Sequence, residues 1–235
     1  MPKKKQQQKF PFYKKFLNEI IVGLITLVSL GSIIFLYFSY EDFNTFYLFQ
    51  DSKEAAAMLK IPEFARHLGT YYLVEPFYKV FGYNPVGYYI FILICAVITS
   101  ILFYRFLVVL TKQKTLSFLS SIIFASSYYG VEAYYWNMTS GFETALSSAI
   151  LFIVLLFLLE YLQNKKKLYL IFAIFVYPIF AFLFKAKAFI AILEIFILFA
   201  LFVDKKTVKQ KILSLSPFVL FTGFIFWSNL TGGGN

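Results

Sequence analysis

Charge is what this sequence has least of. Asp, Glu, Lys and Arg make up 14% of its 235 residues, against about 25% in a soluble domain. Hydrophobic residues make up 60%. That leaves too little polar surface to cover a water-soluble globule, which excludes a soluble enzyme. Cysteine occurs once, as Cys95 inside an apolar run. A disulfide framework or a cysteine metal site within the chain is therefore excluded. Histidine also occurs once, as His67. Carboxylates without a histidine cluster suit Mg²⁺ or Mn²⁺ rather than zinc, and nothing in the sequence requires either ion.

What is abundant is apolar runs of spanning length, roughly 20 residues each. They fall at about 17–38, 86–110, 116–134, 144–162, 168–184, 188–203 and 212–228. The expectation is an all-α polytopic membrane protein with about seven transmembrane helices. The first run is longer than the apolar region of a signal peptide, and no small-residue cleavage site follows it. It is expected to remain as an anchor. Residues 1–16 form a basic cytoplasmic flank, and residues 17–235 form one transmembrane module with an outer loop at 41–85.

The net charge of +10 invites a nucleic-acid partner, but the positions of the charges argue otherwise. With the N-terminus in the cytoplasm, the inner ends carry Lys3, Lys4, Lys5, Lys9, Lys14, Lys15, Arg105, Lys112, Lys114, the Lys165–Lys167 cluster, Lys205, Lys206, Lys209 and Lys211. The outer ends carry only Lys53, Lys60, Arg66, Lys79, Lys185 and Lys187. This is the positive-inside asymmetry of a membrane protein, and no nucleic acid is needed to explain it. Eight acids fall outside, whereas Glu19, Glu160 and Asp204 fall inside and Glu194 lies within the sixth run. Polar chemistry is thus expected on the outer face, in a prokaryotic plasma membrane rather than the endoplasmic reticulum.

The longest polar interruption starts at Glu41-Asp42, straight after the first run. Within this outer loop, residues 55–67 and 71–81 are amphipathic pieces too short to span. They are expected to lie in the membrane interface. Gly82-Tyr83-Asn84-Pro85 reads as a turn into the second span.

Several stretches carry a family resemblance. Arg66-His67-Leu68, then Phe77-Tyr78-Lys79-Val80-Phe81-Gly82-Tyr83-Asn84-Pro85-Val86-Gly87-Tyr88, resembles a segment of polytopic glycosyltransferases of the GT-C fold. These include the dolichyl-phosphate-mannose protein mannosyltransferases and their bacterial and archaeal relatives. Val131-Glu132-Ala133-Tyr134-Tyr135-Trp136 resembles their Glu-Ala-x-x-Trp segment, and Phe184-Lys185-Ala186-Lys187-Ala188 their Lys-containing outer turn. There are departures. His67 stands where Pro is common, and Tyr89 and Ile92 stand where many relatives have His and Asn. Such relatives continue through further spans, so the resemblance implies either a fragment covering an N-terminal seven-span module or a minimal version.

The resemblance implies transfer of a sugar, with inversion, from a polyprenyl-phosphate donor in the bilayer to an acceptor hydroxyl on the outer face. The sugar and the acceptor (protein, lipid or glycan) stay open. The acceptor hydroxyl needs a base, and a carboxylate can serve. Asp42 is the candidate, with Glu41 as neighbour or alternate. The leaving phosphate needs cations, and Arg66, Lys185 and Lys187 are the outer ones. Glu132 and His67 are candidates to orient donor, acceptor or a bridging divalent ion. Each has a plainer reading. Glu41 and Asp42 could simply end a spanning helix, and the lysines could mark span ends and reach to water. The competing function is a non-catalytic polytopic protein, either a transporter or an assembly subunit. A transporter would place ionisable groups mid-membrane and show repeats, whereas only Glu194 lies mid-span and no repeat is visible.

Overall fold

The computed structural model describes residues 16–39, 42, 43, 46, 68–127, 138–202 and 208–231. Among the described residues there is no strand. The helices are α1 (Leu17–Leu30), continued by a 3-10 segment Gly31–Phe35, then α2 (Leu68–Phe81), α3 (Pro85–Thr111), α4 (Lys114–Ser126), α5 (Met138–Asn164), α6 (Lys167–Leu183), α7 (Lys185–Leu201) and α8 (Val208–Thr231).

Three of these are long and apolar enough to cross a membrane: Leu17–Phe35, Pro85–Thr111 and the Ser140–Asn164 part of α5. At 1.5 Å per residue, the 27 residues of α3 reach about 40 Å. The 17 residues of α6 and of α7 reach about 25 Å each. In the expected third run α4 stops at Ser126, and 128–134 lie outside the described residues.

The outside of the bundle is apolar. Val28 is 85% exposed, Phe175 70% and Leu220 71%. On α7 the exposed residues Ile190, Leu193, Ile197 and Leu201 line one face, while Ala188, Ala191 and Ile195 are buried on another. Two alanines thus sit where α7 approaches its neighbours, as small residues do in bilayer packing, and the large residues of the other face point where lipid would be. Hydroxyls inside the helices are satisfied locally. Thr26 donates to Val22 O at 2.9 Å, Thr99 to Cys95 O at 2.8 Å and Ser100 to Ala96 O at 3.0 Å, the usual way for Ser and Thr to be tolerated in apolar helices.

Polar contacts mark one end of the bundle and aromatic contacts the other. At one end, Arg105 of α3 pairs with Glu19 of α1 at 3.0 Å. There too Gln163 of α5 donates to Val109 O at 2.8 Å, and Tyr161 bonds Ser214 of α8 at 2.9 Å. The basic residues Lys112, Lys114, Lys165, Lys166 and Lys167 lie at this end. At the other end, Phe77 of α2, Phe91 of α3 and Phe142 of α5 meet with ring centroids 4.6–5.1 Å apart. α3 and α5 therefore both end where α1 and α8 begin, and α4 and α6 start from that same end, in line with the charge pattern.

The α2–α3 junction is held by a specific turn. Gly82 takes φ +53°, a left-handed value that favours glycine. Asn84 caps α3 by accepting from Val86 N at 3.1 Å, and Pro85 follows at the first helical position. Tyr88 then donates to Gly82 O at 2.8 Å. A Cβ on Gly87 would meet the Phe81 ring at 2.5 Å, so glycine there lets the ring lie against the helix.

Candidate functional site

Asp42 is 0% exposed. Its Oδ2 accepts from the Ser39 backbone N–H at 2.9 Å and from Ser39 Oγ at 3.1 Å. Its own N–H donates to Ser39 O at 3.1 Å. The spacing Ser39-x-x-Asp42, with an acidic side chain reaching back to a backbone N–H three residues earlier, is one arm of a capping box. Asp42 thus begins a helical turn, where the plainer sequence reading had it ending a span.

Aromatic rings surround this turn. Phe46 is buried and packs edge-on against Phe38, with centroids 4.7 Å apart, and stacks on Tyr78 at 5.3 Å. Tyr89 is 1% exposed and lies within electrostatic reach of Asp42. Its hydroxyl donates to Tyr37 O at 3.3 Å. Phe46, Tyr88, Tyr89, Ile92 and Phe142 belong to one buried cluster, which ties the Asp42 turn to the start of α5.

A second polar group lies at the same end, between α5 and the first turn of α7. Lys187 Nζ donates to Ser147 Oγ at 3.0 Å and to Thr144 Oγ1 at 3.3 Å. Glu143 Oε1 is 3.8 Å away. The Lys187 side chain is 31% exposed and that of Glu143 16%. A cation in the first turn of a helix sits at the positive end of the helix dipole. The Glu143 carboxylate and the two hydroxyls offset that cost.

The profile of the dolichyl-phosphate-mannose-protein mannosyltransferase family matches residues 66–228, more than two thirds of the 235-residue chain. The chain belongs to that family. It is accordingly an integral membrane protein of the GT-C glycosyltransferase type, and the family implies a lipid-linked sugar donor. Neither the curated proteins nor the solved structures gave a match.

The family match includes Lys187, Glu143 and the Gly82–Gly87 turn, and it begins at Arg66. Asp42 lies before it. Of the residues singled out from sequence, Asp42 and Lys187 have described side chains. Lys185 is described only as the first residue of α7, and Glu41, Arg66, His67 and Glu132 lie outside the described residues, as does the piece 55–67. Among the described residues, no three His, Cys, Asp or Glu side chains gather as metal ligands. Glu194 lies on α7 between the lipid-facing Leu193 and the buried Ile195. Two residues were not singled out from the sequence as site candidates. Glu143 was visible as an outer acid, but its pairing with Lys187 is a tertiary contact with no local signature. Tyr89 was visible only as a departure from the family pattern.

Proposed function

We propose that the chain moves a sugar from a polyprenyl-phosphate donor to an acceptor hydroxyl, inverting the anomeric centre, with Asp42 as base and Lys187 against the donor phosphate. Asp42 takes the hydroxyl proton. The acceptor oxygen bonds to the anomeric carbon on the face opposite the phosphate. The bond from that carbon to the phosphate oxygen breaks, and its electron pair stays on the phosphate, where the Lys187 ammonium offsets the charge. A base positioned in this way contributes about 10²–10⁴-fold.

The observation that carries this reading is that a fully buried carboxylate and a partly buried ammonium lie at one end of a membrane bundle, linked through α5, whose Phe142 joins the aromatic cluster and whose Glu143, Thr144 and Ser147 reach Lys187. A lipid-linked donor fits that placement. Its tail stays in the bilayer while its phosphate reaches the helix ends. Arg66, Lys185, Glu41, Glu132 and His67 remain candidates for the same site, Arg66 and Lys185 for the phosphate. The outer face of a prokaryotic plasma membrane is the proposed location, with the Arg105–Lys167 end in the cytoplasm.

The test supplies membranes containing the chain with either a polyprenyl-phosphate hexose or a nucleotide sugar. Transfer from the lipid-linked sugar alone is expected, with the product anomer opposite to the donor's by NMR. Transfer from the nucleotide sugar, or a retained anomer, would overturn the reading.

A further inference from the structure

We propose that Glu143 is a placeholder for the donor phosphate: its carboxylate neutralises Lys187 while the site is empty and yields the ammonium when the phosphate binds. This rests on the assignment of Lys187 to the phosphate.

The contacts of Lys187 divide into two kinds. Ser147 Oγ and Thr144 Oγ1 accept from Nζ at 3.0 and 3.3 Å. These bonds fix the position of the ammonium but carry no net charge. Glu143 Oε1 supplies the charge from 3.8 Å, beyond hydrogen-bond reach. The pair can therefore separate without loss of a directed bond between its members, and the hydroxyls still hold Lys187 in place.

An anion is needed there in the empty state. Lys187 lies in the first turn of α7, where the helix dipole adds positive potential. An uncompensated ammonium at the margin of a bilayer is costly. A phosphate offers more acceptor oxygens than a single carboxylate oxygen at 3.8 Å and makes shorter, charge-assisted bonds. It therefore displaces Glu143 rather than sharing the ammonium with it. Both side chains keep some exposure, 31% and 16%, which leaves room for the exchange. When the phosphate product leaves, the return of Glu143 neutralises Lys187 again and favours release.

The test measures binding of a water-soluble short-chain isoprenyl phosphate to the purified full chain in nanodiscs, with folding checked by thermal unfolding. Glu143→Gln removes the competing charge and is expected to bind the probe about tenfold more tightly, the scale of one neighbouring charge. In sugar transfer the same variant is expected to lower KM and kcat together, because phosphate leaves more slowly. Glu143→Asp withdraws the carboxylate without removing it and is expected to bind more tightly than wild type but less tightly than Glu143→Gln. This variant serves if Glu143→Gln fails to fold. Lys187→Met is expected to weaken binding by at least about tenfold. If Lys187→Met weakens binding while neither Glu143 variant tightens it, the placeholder role is overturned and the Lys187 assignment survives. If Lys187→Met leaves binding unchanged, the phosphate assignment itself is wrong and the placeholder falls with it.

Discussion

Asp42 is held by Ser39 twice over: one carboxylate oxygen, Oδ2, accepts both the backbone N–H and the hydroxyl of that residue. The arrangement gives Asp42 a structural task whatever its chemical one. Any experiment on Asp42 must therefore separate the cap from the charge.

Ser39→Ala removes one of the two donors and leaves the backbone N–H. Loss of a single cap bond costs about 1 kcal/mol. The expected result is a modestly lower unfolding temperature with sugar transfer kept within about tenfold of wild type, an allowance of about 1.4 kcal/mol. Abolished transfer in folded Ser39→Ala would mean that the hydroxyl takes part in the chemistry.

The direction of the bundle can be checked by labelling. Cys95, the one cysteine, is buried and can be replaced by alanine. The Lys79 side chain on α2 is 70% exposed, and Lys166 is exposed between α5 and α6. On intact cells, an impermeant maleimide is expected to label Lys79→Cys and to spare Lys166→Cys until the membrane is opened. The reverse pattern would place the Asp42 end in the cytoplasm and remove the case for an outer-face reaction.

Gly87→Ala tests whether the α2–α3 turn is held by packing. The added Cβ would meet the Phe81 ring at 2.5 Å, and overpacking of this kind costs about 1–3 kcal/mol. A drop in the thermal unfolding temperature is expected, with normal membrane insertion. An unchanged temperature would show that Phe81, 40% exposed, swings aside freely.

Much of the architecture was legible because hydropathy and charge are strong signals in a bilayer. The basic ends and the alternation of helices follow from where Arg105, Lys112 and Lys165–Lys167 stand. The Gly82–Gly87 segment was legible as a turn, and the structure supplies its reason. Glycine is needed at 82 for a left-handed φ and at 87 for the Phe81 ring. The family-like wording of this segment thus reports how α2 joins α3. The Ser39–Asp42 cap was also written in the sequence, as a three-residue spacing at the end of an apolar run, but hydropathy masked it. The Glu143–Lys187 pair could not be read, because residues 44 positions apart meet only once α5 and α7 pack. The apolar run at 116–134 did not reveal where α4 ends, at Ser126, because hydropathy carries no stop signal there.

The most direct test of Asp42 as base is sugar transfer from a polyprenyl-phosphate donor in membranes, wild type against Asp42→Asn. Asparagine keeps an oxygen that can accept from Ser39, so the cap survives while the proton acceptor is lost. The expected result is a folded protein at normal abundance with transfer reduced by about 10²-fold or more. Undiminished transfer by Asp42→Asn would contradict the assignment and leave Asp42 as a structural cap.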